Sequence, residues 1–288
     1  MTGFRLDRFL TLYFFHPLSP RGKSANDLRI PILMYHSVSD TAEHGVHPYY
    51  RISTTPTIFA EQMRFLKESD YTPVDLKDLG HCPATGRSKK KCVAITFDDG
   101  YDDFHTMAFP ILEEHRFPAT VFLPTAFIGS SNERFPGKKH LNWEQVAELS
   151  NKGISFGSHT VTHPFLITLK NGELEYEVRK SKETIEDKLG QAIHTFSYPF
   201  KFPDENRRFK EKLKGLLQET GYTCGVTTRI GRTSETDDAY FMKRLPVNSS
   251  DDTSLFQAKL EGGYDWLYPF QRLLKTIISK VKATNIFW

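Results

Sequence analysis

The sequence has 288 residues with an ordinary globular composition, of which 25% are charged and 39% hydrophobic. These values exclude a disordered, collagen-like or fibrous chain and leave enough apolar side chains for a sizeable core. The formal net charge of +3 gives no reason to expect a nucleic-acid partner. No apolar run approaches the roughly 20 residues that a membrane-spanning helix needs.

The N-terminal and cysteine patterns bear on where the protein works. The apolar stretch at residues 9–15 is short and no small-residue cleavage site follows it, so we expect no signal peptide. The three cysteines, Cys82, Cys92 and Cys224, exclude a disulfide scaffold and a cysteine zinc site and are typical of a reducing compartment. The sequence thus predicts a cytoplasmic protein or one bound peripherally to a membrane.

Short apolar runs alternate with longer amphipathic segments from Arg29 onward. Thr55 and Pro56 predict a helix start, because threonine caps free amides and proline fits the first helical position. The alternation predicts a parallel sheet with helices outside it, and at this length a closed or partly closed α/β barrel. We expect strands at residues 30–35, 71–74, 93–97, 119–123, 154–156, 195–198, 224–227 and 241–247, and further helices at residues 102–114 (bent or ended near Pro110), 143–149, 173–189 and 205–217.

The C-terminal tail differs in character from the rest of the chain. Between Gly263 and Trp288, apolar residues recur at helical spacing with basic residues between them. Two interpretations stay open: a helix packed on the outside of the barrel, or a basic helix lying on an anionic membrane surface. The apolar positions are Leu267, Phe270, Leu274, Ile277, Ile278 and Val281, and the basic ones are Arg272, Lys275, Lys280 and Lys282.

Two adjacent carboxylates, Asp98 and Asp99, follow the predicted strand at residues 93–97 and precede Gly100. Repulsion between neighbouring carboxylates is unfavourable unless something offsets it, and a divalent metal can do so. One aspartate can then bind the metal while its neighbour stays free as a base. The alternative is a helix cap, which aspartate also forms readily.

A second polar cluster follows the predicted strand at residues 154–156. His159 and His163 lie four residues apart and can reach one metal if the segment forms a helical turn. Imidazole nitrogen suits zinc, cobalt, nickel or iron(II) better than magnesium or calcium. Together with one carboxylate, the pair predicts a catalytic zinc-type site, with a structural role as the alternative.

Three further segments would end at the same rim of a barrel. Histidine ordinarily titrates near neutrality, so His36 could protonate a leaving group. Arg244 could orient a carboxylate through a charge-assisted pair. Residues 196–200 could supply an aromatic groove wall and a backbone N–H. The alternatives are a hydrogen-bonded structural histidine, a structural ion pair and plain core packing.

Taken in this order, these segments resemble the polysaccharide deacetylase family, the NodB-like carbohydrate esterases. The resemblance covers residues 29–252 and depends most on T-F-D-D-G at residues 96–100 and S-H-T-V-T-H-P at residues 158–164. It implies a distorted (β/α)7 barrel and metal-dependent removal of an acetyl group from an N-acetylated sugar. Residues 1–28 would then be an N-terminal arm, residues 29–252 the catalytic domain, and residues 253–288 a C-terminal amphipathic helical extension.

The resemblance also implies a role for each matching residue. Asp98 would be the catalytic base, and Asp99, His159 and His163 would bind the metal. Zn²⁺ is the expected ion, with Co²⁺, Ni²⁺ and Fe²⁺ as alternatives. Phe200 would supply a backbone N–H that stabilises an oxyanion.

One departure from the family concerns the partner of the base. Many members carry an arginine two residues before the proline of a Pro-aromatic pair, and this chain has Ser197 there. We therefore expect Arg244 to substitute as the partner of Asp98.

A second departure concerns the general acid. Many members use a late histidine, whereas the last histidine of this chain is His194. The M-Y-H start at residues 34–36 resembles a subgroup similar to the poly-N-acetylglucosamine deacetylases of biofilm systems. That subgroup implies His36 as the acid, with His44 and His47 as weaker rivals.

The expected reaction is therefore removal of N-acetyl groups from a polysaccharide or a glycan precursor. One alternative is a deacylase of a non-sugar or lipid-linked amide, and another is a non-catalytic glycan-binding relative. The missing signal peptide favours a cytoplasmic or membrane-surface substrate, and the basic C-terminal helix is compatible with peripheral membrane contact.

Overall fold

The structure is a computed structural model that describes residues 4–18, 29–81, 91–129 and 138–270. Seven parallel strands of this part of the chain close into a barrel, which confirms the predicted (β/α)7 architecture. An eighth strand, β2, pairs with the first half of β3 outside the ring. The strands of this sheet are β1 (Ile32–Tyr35), β2 (Tyr71–Val74), β3 (Lys91–Phe97), β4 (Thr120–Leu123), β5 (Ser155–Ser158), β6 (Thr195–Ser197), β7 (Cys224–Ile230) and β8 (Met242–Pro246).

The ring closes where β1 meets β3 on one side and β8 on the other. Leu33 of β1 is in register with Ile95 of β3 and with Leu245 of β8. The remaining neighbours follow the order β3, β4, β5, β6, β7 and β8, all parallel. All seven strands therefore end at one rim, which is where barrel enzymes carry their chemistry.

Six helices outside the barrel follow from local sequence signals. The Thr55 side chain accepts a hydrogen bond from the Ile58 N–H at 3.4 Å, as the predicted cap requires. Asn142 and Gln145 form a capping box at the start of α3. The helices are α1 (Pro56–Glu68), α2 (Phe109–His115), α3 (Trp143–Asn151), α4 (Asn171–Leu189), α5 (Arg207–Glu219) and α6 (Thr253–Leu260).

One predicted helix is present but begins with an irregular turn. The expected helix at residues 102–114 begins with a π-helical turn at Phe104–Ala108 and continues as α2. Pro110 has no N–H to donate to the preceding turn. The widened turn accommodates the proline, and the segment stays helical through it to His115 instead of ending there.

Strand alternation decides which polar side chains enter the barrel. The outward residues Val93, Ile95 and Phe97 of β3 belong to the large core between the strands and the helices. The alternate residues Cys92 and Ala94 belong to a second apolar cluster, with Ile32, Phe122, Val226 and Met242 from other strands. By the same alternation, the polar residues that point into the barrel are Thr96 and Asp98 after Ala94, Arg244 after Met242, and Ser197 on β6.

The N-terminal segment is docked on the barrel rather than free. Leu6–Leu10 and His16–Leu18 are α-helical, with a π-helical turn at Thr11–Phe15 between them, and we call this segment the N-terminal helix. Arg5 pairs with Asp251 at 3.0 Å, just before α6. The division at residue 252 stays a prediction, and of the predicted C-terminal helix the residues beyond 270 lie outside the described part.

The cysteines contradict one expectation. Cys92 is disulfide-bonded, and Cys224 is a free, buried thiol. A single disulfide makes no scaffold, but such a bond is typical of oxidising compartments. The cysteine argument for a reducing compartment therefore does not hold. Across the described residues, none of the helices combines the length and the apolarity that crossing a bilayer requires.

Candidate active site

The first element of the site is a sharp turn at the end of β3. Asp99 and Gly100 both have left-handed backbones, with φ of 71° and 59°. A Cβ on Gly100 would lie 2.7 Å from the Leu123 side chain and would strain the left-handed backbone, so the position favours glycine. The turn sends Asp98 into the barrel and brings Asp99 to the rim, and both carboxylates are buried.

The two histidines lie on a loop, not on the helical turn that their spacing suggested. His159 directly follows β5, and both Thr160 and His163 have left-handed φ values of 70° and 53°. The Thr160 hydroxyl accepts a hydrogen bond from the His163 N–H at 3.0 Å. This local folding brings the two imidazoles together in place of a helix.

A buried glutamate of α4 fixes this loop. One carboxylate oxygen of Glu177 accepts hydrogen bonds from the N–H groups of Val161 at 2.7 Å and Thr162 at 2.9 Å. The other oxygen accepts the Thr162 hydroxyl at 2.6 Å. The sequence analysis did not single out Glu177. The signal was a glutamate on the apolar face of a helix, beside Leu174 and Val178.

Asp99, His159 and His163 converge on one point. Asp99 Oδ1 lies 3.6 Å from His159 Nε2 and 3.5 Å from His163 Nε2, and the two Nε2 atoms are 3.1 Å apart. His159 Nδ1 lies 2.8 Å from the Ser197 carbonyl, so a proton donated there leaves Nε2 free as a ligand. The three ligand atoms all lie within 4.8 Å of one another.

The donor set fits a divalent cation. Asp99 Oδ1 is buried and has no hydrogen-bond partner among the described residues, a costly state for a carboxylate oxygen. Burial raises the pKa of Asp99 to about 6, and it lowers the pKa of His163 to about 2, an effect to which His159 adds. A neutral imidazole is the form that binds metal, and two histidines with one carboxylate make a catalytic zinc-type set.

Asp98 lies beside this triad and is held by Arg244. The guanidinium donates from Nη1 to Asp98 Oδ1 at 2.7 Å and from Nη2 to Oδ2 at 2.6 Å. The Ser197 hydroxyl donates to Oδ1 at 3.2 Å, and Asp98 Oδ2 is 4.0 Å from His159 Nε2. The structure thus brings together the arginine and the aspartate that the sequence paired.

The two neighbouring aspartates have opposite electrostatic environments. Burial raises the pKa of Asp98, but the Arg244 guanidinium and His159 outweigh burial and hold it well below its usual range. The pKa of Asp99 is shifted the other way. Two neighbouring carboxylates whose pKa values are shifted in opposite directions are typical of a site where one group must stay ionised.

His36 follows β1 at the same rim and is partly exposed. Burial lowers its pKa, and the charge of the Asp98 carboxylate opposes that shift. His44 and His47 are exposed on the following loop, and His47 Nδ1 accepts the Tyr49 N–H at 3.2 Å. Neither rival takes part in the cluster around Asp98.

An aromatic wall borders the triad. Phe200 follows β6 with a left-handed φ of 56°, and its ring centroid is 4.4 Å from that of His163. The Phe165 ring stacks on Phe200 at 4.1 Å with an interplanar angle of 11°. Both rings are substantially exposed, at 50% for Phe165 and 42% for Phe200.

Comparison with known proteins places this arrangement in a family. Residues 85–224 match the family model described as polysaccharide deacetylase. YxkH of Bacillus subtilis, a candidate polysaccharide deacetylase, is 30% identical over 240 residues, or 83% of this chain and 78% of that protein. The chain belongs to the polysaccharide deacetylase family.

Further relatives agree with this membership. The poly-β-1,6-N-acetyl-D-glucosamine N-deacetylase of Staphylococcus epidermidis is 26% identical over 208 residues, covering 68% of each chain. Among solved structures with a similar fold, the Streptococcus pyogenes deacetylase PplD gives a TM-score of 0.67 at 24% identity, over 82% of this chain and 99% of that one. IcaB of Ammonifex degensii gives a TM-score of 0.64 at 20% identity, over 81% of this chain and 97% of that one. The particular subgroup suggested by the M-Y-H start stays a prediction.

Proposed function

We propose that this member of the polysaccharide deacetylase family removes N-acetyl groups from an N-acetylated glycan by metal-dependent hydrolysis. One observation supports this most directly: the arginine-held carboxylate of Asp98 lies beside the Asp99, His159 and His163 triad. An ionised base next to a two-histidine, one-carboxylate set suits hydrolysis of an amide.

Asp99, His159 and His163 would hold the metal, with zinc as our first choice and cobalt, nickel or iron(II) as alternatives. The chemistry that such an ion supplies is polarisation of the amide carbonyl and a lowered pKa for the attacking water. The Ser197 carbonyl orients the His159 ring by a hydrogen bond at Nδ1. Glu177 positions His163 by holding the loop at residues 160–163.

Asp98 would accept a proton from the attacking water as the oxygen–carbon bond forms. The paired guanidinium of Arg244 keeps Asp98 ionised and fixes both of its oxygens, so the carboxylate needs no reorganisation when it reacts. We assign to the Phe200 backbone N–H a hydrogen bond to the oxyanion that develops on the carbonyl oxygen.

His36 would donate a proton to the departing nitrogen as the carbon–nitrogen bond breaks. Acetate and a free amino sugar are the products. Its position at the end of β1, where the Asp98 charge acts on its pKa, and the exposed positions of His44 and His47 support this choice. Because burial lowers its pKa, a protonated His36 gives up its proton readily.

The stacked pair of Phe165 and Phe200 suggests how a sugar is held. Exposed aromatic faces offer the apolar surface against which a pyranose ring packs while its hydroxyls stay in water. The Staphylococcus epidermidis relative is named for poly-β-1,6-N-acetyl-D-glucosamine, so oligomers of that sugar are the first substrates to test.

The decisive measurement is acetate release from N-acetylglucosamine oligomers and from lipid-linked N-acetylated sugars. Chelated protein should be inactive, and zinc, cobalt or nickel should restore release in wild type but not in Asp98→Asn. Release only from lipid-linked or non-sugar amides would move the assignment to that alternative. Bound metal without release from any substrate would favour a glycan-binding relative.

We further propose peripheral membrane contact through the C-terminal segment. Residues 271–288 contain four basic residues and no acidic one. Replacing Arg272, Lys275, Lys280 and Lys282 by glutamine should weaken flotation with anionic vesicles if the segment binds lipid. Unchanged flotation of this variant would contradict the proposed membrane contact.

A further inference from the structure

The N-terminal helix is docked with its polar side inward. Arg5 and Asp7 have side chains that are 8% and 9% exposed, and Thr11 is fully buried. Asp7 accepts the Tyr264 hydroxyl at 2.6 Å, and the Thr11 hydroxyl accepts the Trp266 indole N–H at 3.1 Å. A surface helix of a water-soluble domain normally buries its apolar stripe and not its charges.

Polar contacts fix this orientation along the whole helix. Besides the Arg5 contact with Asp251, Arg8 pairs with Asp252 at 2.5 Å. At the other end, His16 Nε2 lies 2.8 Å from Glu261 Oε2. The N-terminal helix therefore runs alongside α6 from the start of α6 to its end. These contacts determine which face of the N-terminal helix points outward.

The outward face is apolar and aromatic. Seven of the fifteen exposed large apolar side chains among the described residues lie within residues 4–18. Phe9 is their centre, with ring centroids of Tyr13 at 5.1 Å and Phe14 at 5.9 Å. Phe15 is excluded from the outward surface because its ring stacks on Trp266 at 4.4 Å. We call this surface the aromatic face; its members are Phe4, Leu6, Phe9, Tyr13, Phe14 and Leu18, exposed by 40% to 79%.

Charge distribution indicates what covers this face. Residues 1–28 have four basic and two acidic residues, and residues 271–288 have four basic residues and no acidic one. These two segments thus carry +6 of a chain whose total is +3, which leaves residues 29–270 at −3. Positive charge is concentrated in the termini, and one of them carries the aromatic face.

We propose that the aromatic face of the N-terminal helix docks on an anionic lipid bilayer. An interfacial helix needs aromatic and aliphatic side chains that enter the headgroup boundary and nearby cations that meet acidic headgroups. Arg5 and Arg8 are paired with Asp251 and Asp252, so the cations would come from the flanking residues 19–28 and 271–288. The proposal differs from the contact of residues 271–288 and does not depend on the catalytic assignment.

The test is flotation of the full chain with vesicles of phosphatidylcholine alone or mixed with phosphatidylglycerol. Wild type should bind the mixed vesicles at least tenfold more tightly than the neutral ones. The variant Phe9→Ser/Tyr13→Ser/Phe14→Ser should lose at least tenfold in binding to the mixed vesicles. The matched control is Met107→Ser/Tyr176→Ser, which removes two side chains that are 45% and 56% exposed elsewhere, and it should bind like wild type.

A conservative variant keeps the test valid if the triple serine variant fails to fold. Phe14→Trp should gain fluorescence quenching by brominated lipids relative to wild type, because residue 14 would enter the bilayer. Absence of added quenching in a protein that floats would overturn the proposal.

Other occupants give different results. Loss of flotation in the glutamine variant of the four C-terminal basic residues, with full binding in the triple serine variant, would overturn the proposal. A self-association that the triple serine variant abolishes, without vesicle binding, would assign the face to a second copy. Equal binding to neutral and mixed vesicles would overturn the anionic requirement. Acetate release from a water-soluble substrate tests the catalytic proposal separately, and it should be unchanged in the triple serine variant.

Discussion

Arg244 and Asp98 form a buried, two-pronged ion pair between β8 and the end of β3, with nitrogen–oxygen distances of 2.7 and 2.6 Å. The arginine is 1% exposed and the aspartate 2%. The guanidinium also donates to the Thr227 carbonyl at 3.1 Å, the Ser197 hydroxyl at 3.1 Å and the Thr96 hydroxyl at 3.3 Å. This arginine reaches the base across the barrel, from a strand 146 residues away in the chain.

Removing the charge of Asp98 tests its role as the base. Asp98→Asn should lower kcat by about 10²–10⁴-fold, the range typical for loss of a general base. The triad is left in place, so metal content by atomic absorption should match wild type. A variant that loses activity and metal together would point to a structural role instead.

Even a conservative replacement of Arg244 should lower the catalytic rate. Arg244→Lys keeps the charge but cannot make two parallel hydrogen bonds, so we expect a drop in kcat with little change in KM. Arg244→Gln leaves a buried carboxylate without its partner and should cost about 3–5 kcal/mol of unfolding free energy. Urea unfolding of both variants gives the comparison, and an unchanged kcat in the lysine variant would argue against fine positioning of Asp98.

Glu177 is expected to act as a positioning residue through the histidine loop. Glu177→Ala should weaken metal affinity about 10–100-fold, as loss of a group that orients ligands typically does. Glu177→Gln can still accept both backbone N–H groups and should retain most of the affinity. Zinc competition with a chromogenic chelator measures this, and equal affinities for both variants would contradict the assignment.

The aromatic wall should affect substrate binding more than chemistry. Phe165→Ala removes one ring of the stacked pair and should raise KM several-fold for an oligomeric substrate, with kcat largely kept. Phe165→Tyr preserves the ring and serves as the control. If the alanine variant lowers kcat with KM constant, the wall acts in the transition state and not in binding.

The stability that the docked N-terminal helix contributes should fall at acidic pH, because it depends on the ionised Asp7 carboxylate. Burial raises the pKa of Asp7, but the hydrogen bonds from Arg5 and Tyr264 and the charges of Arg5 and Lys259 together outweigh burial, and the pKa falls below its usual value. A carboxylate with a lowered pKa stabilises the fold above its unfolded-state pKa, and this stabilisation is lost as the pH falls through the folded-state pKa. Asp7→Asn should therefore reduce unfolding free energy by about 1–3 kcal/mol at pH 7.

The difference between wild type and Asp7→Asn should close as the pH is lowered below about 4, where the wild-type carboxyl also becomes neutral. Thermal unfolding at a series of pH values measures that difference. A gap that widens toward acid would contradict the sign of the shift.

Local signals in the sequence were sufficient for much of the fold. Thr55 and Pro56 predicted a capped helix start because capping acts within one turn. The alternation of apolar runs predicted a barrel because buried parallel strands need apolar faces and crossover helices. The spacing of His159 and His163 was misleading, because left-handed residues and the distant Glu177 fold that segment as a loop.

The sequence by itself determined which residue types were available for the chemistry, and their adjacency at Asp98 and Asp99 set the two carboxylates at one strand end. Only the tertiary structure decided which of the two pairs with an arginine and which faces the histidines. Barrel closure brings Arg244 to Asp98 and the two histidines to Asp99, so charges far apart in the chain set which carboxylate stays ionised. The same holds for the N-terminal helix, whose apolar side faces outward because Asp251 and Glu261 bind its basic side chains.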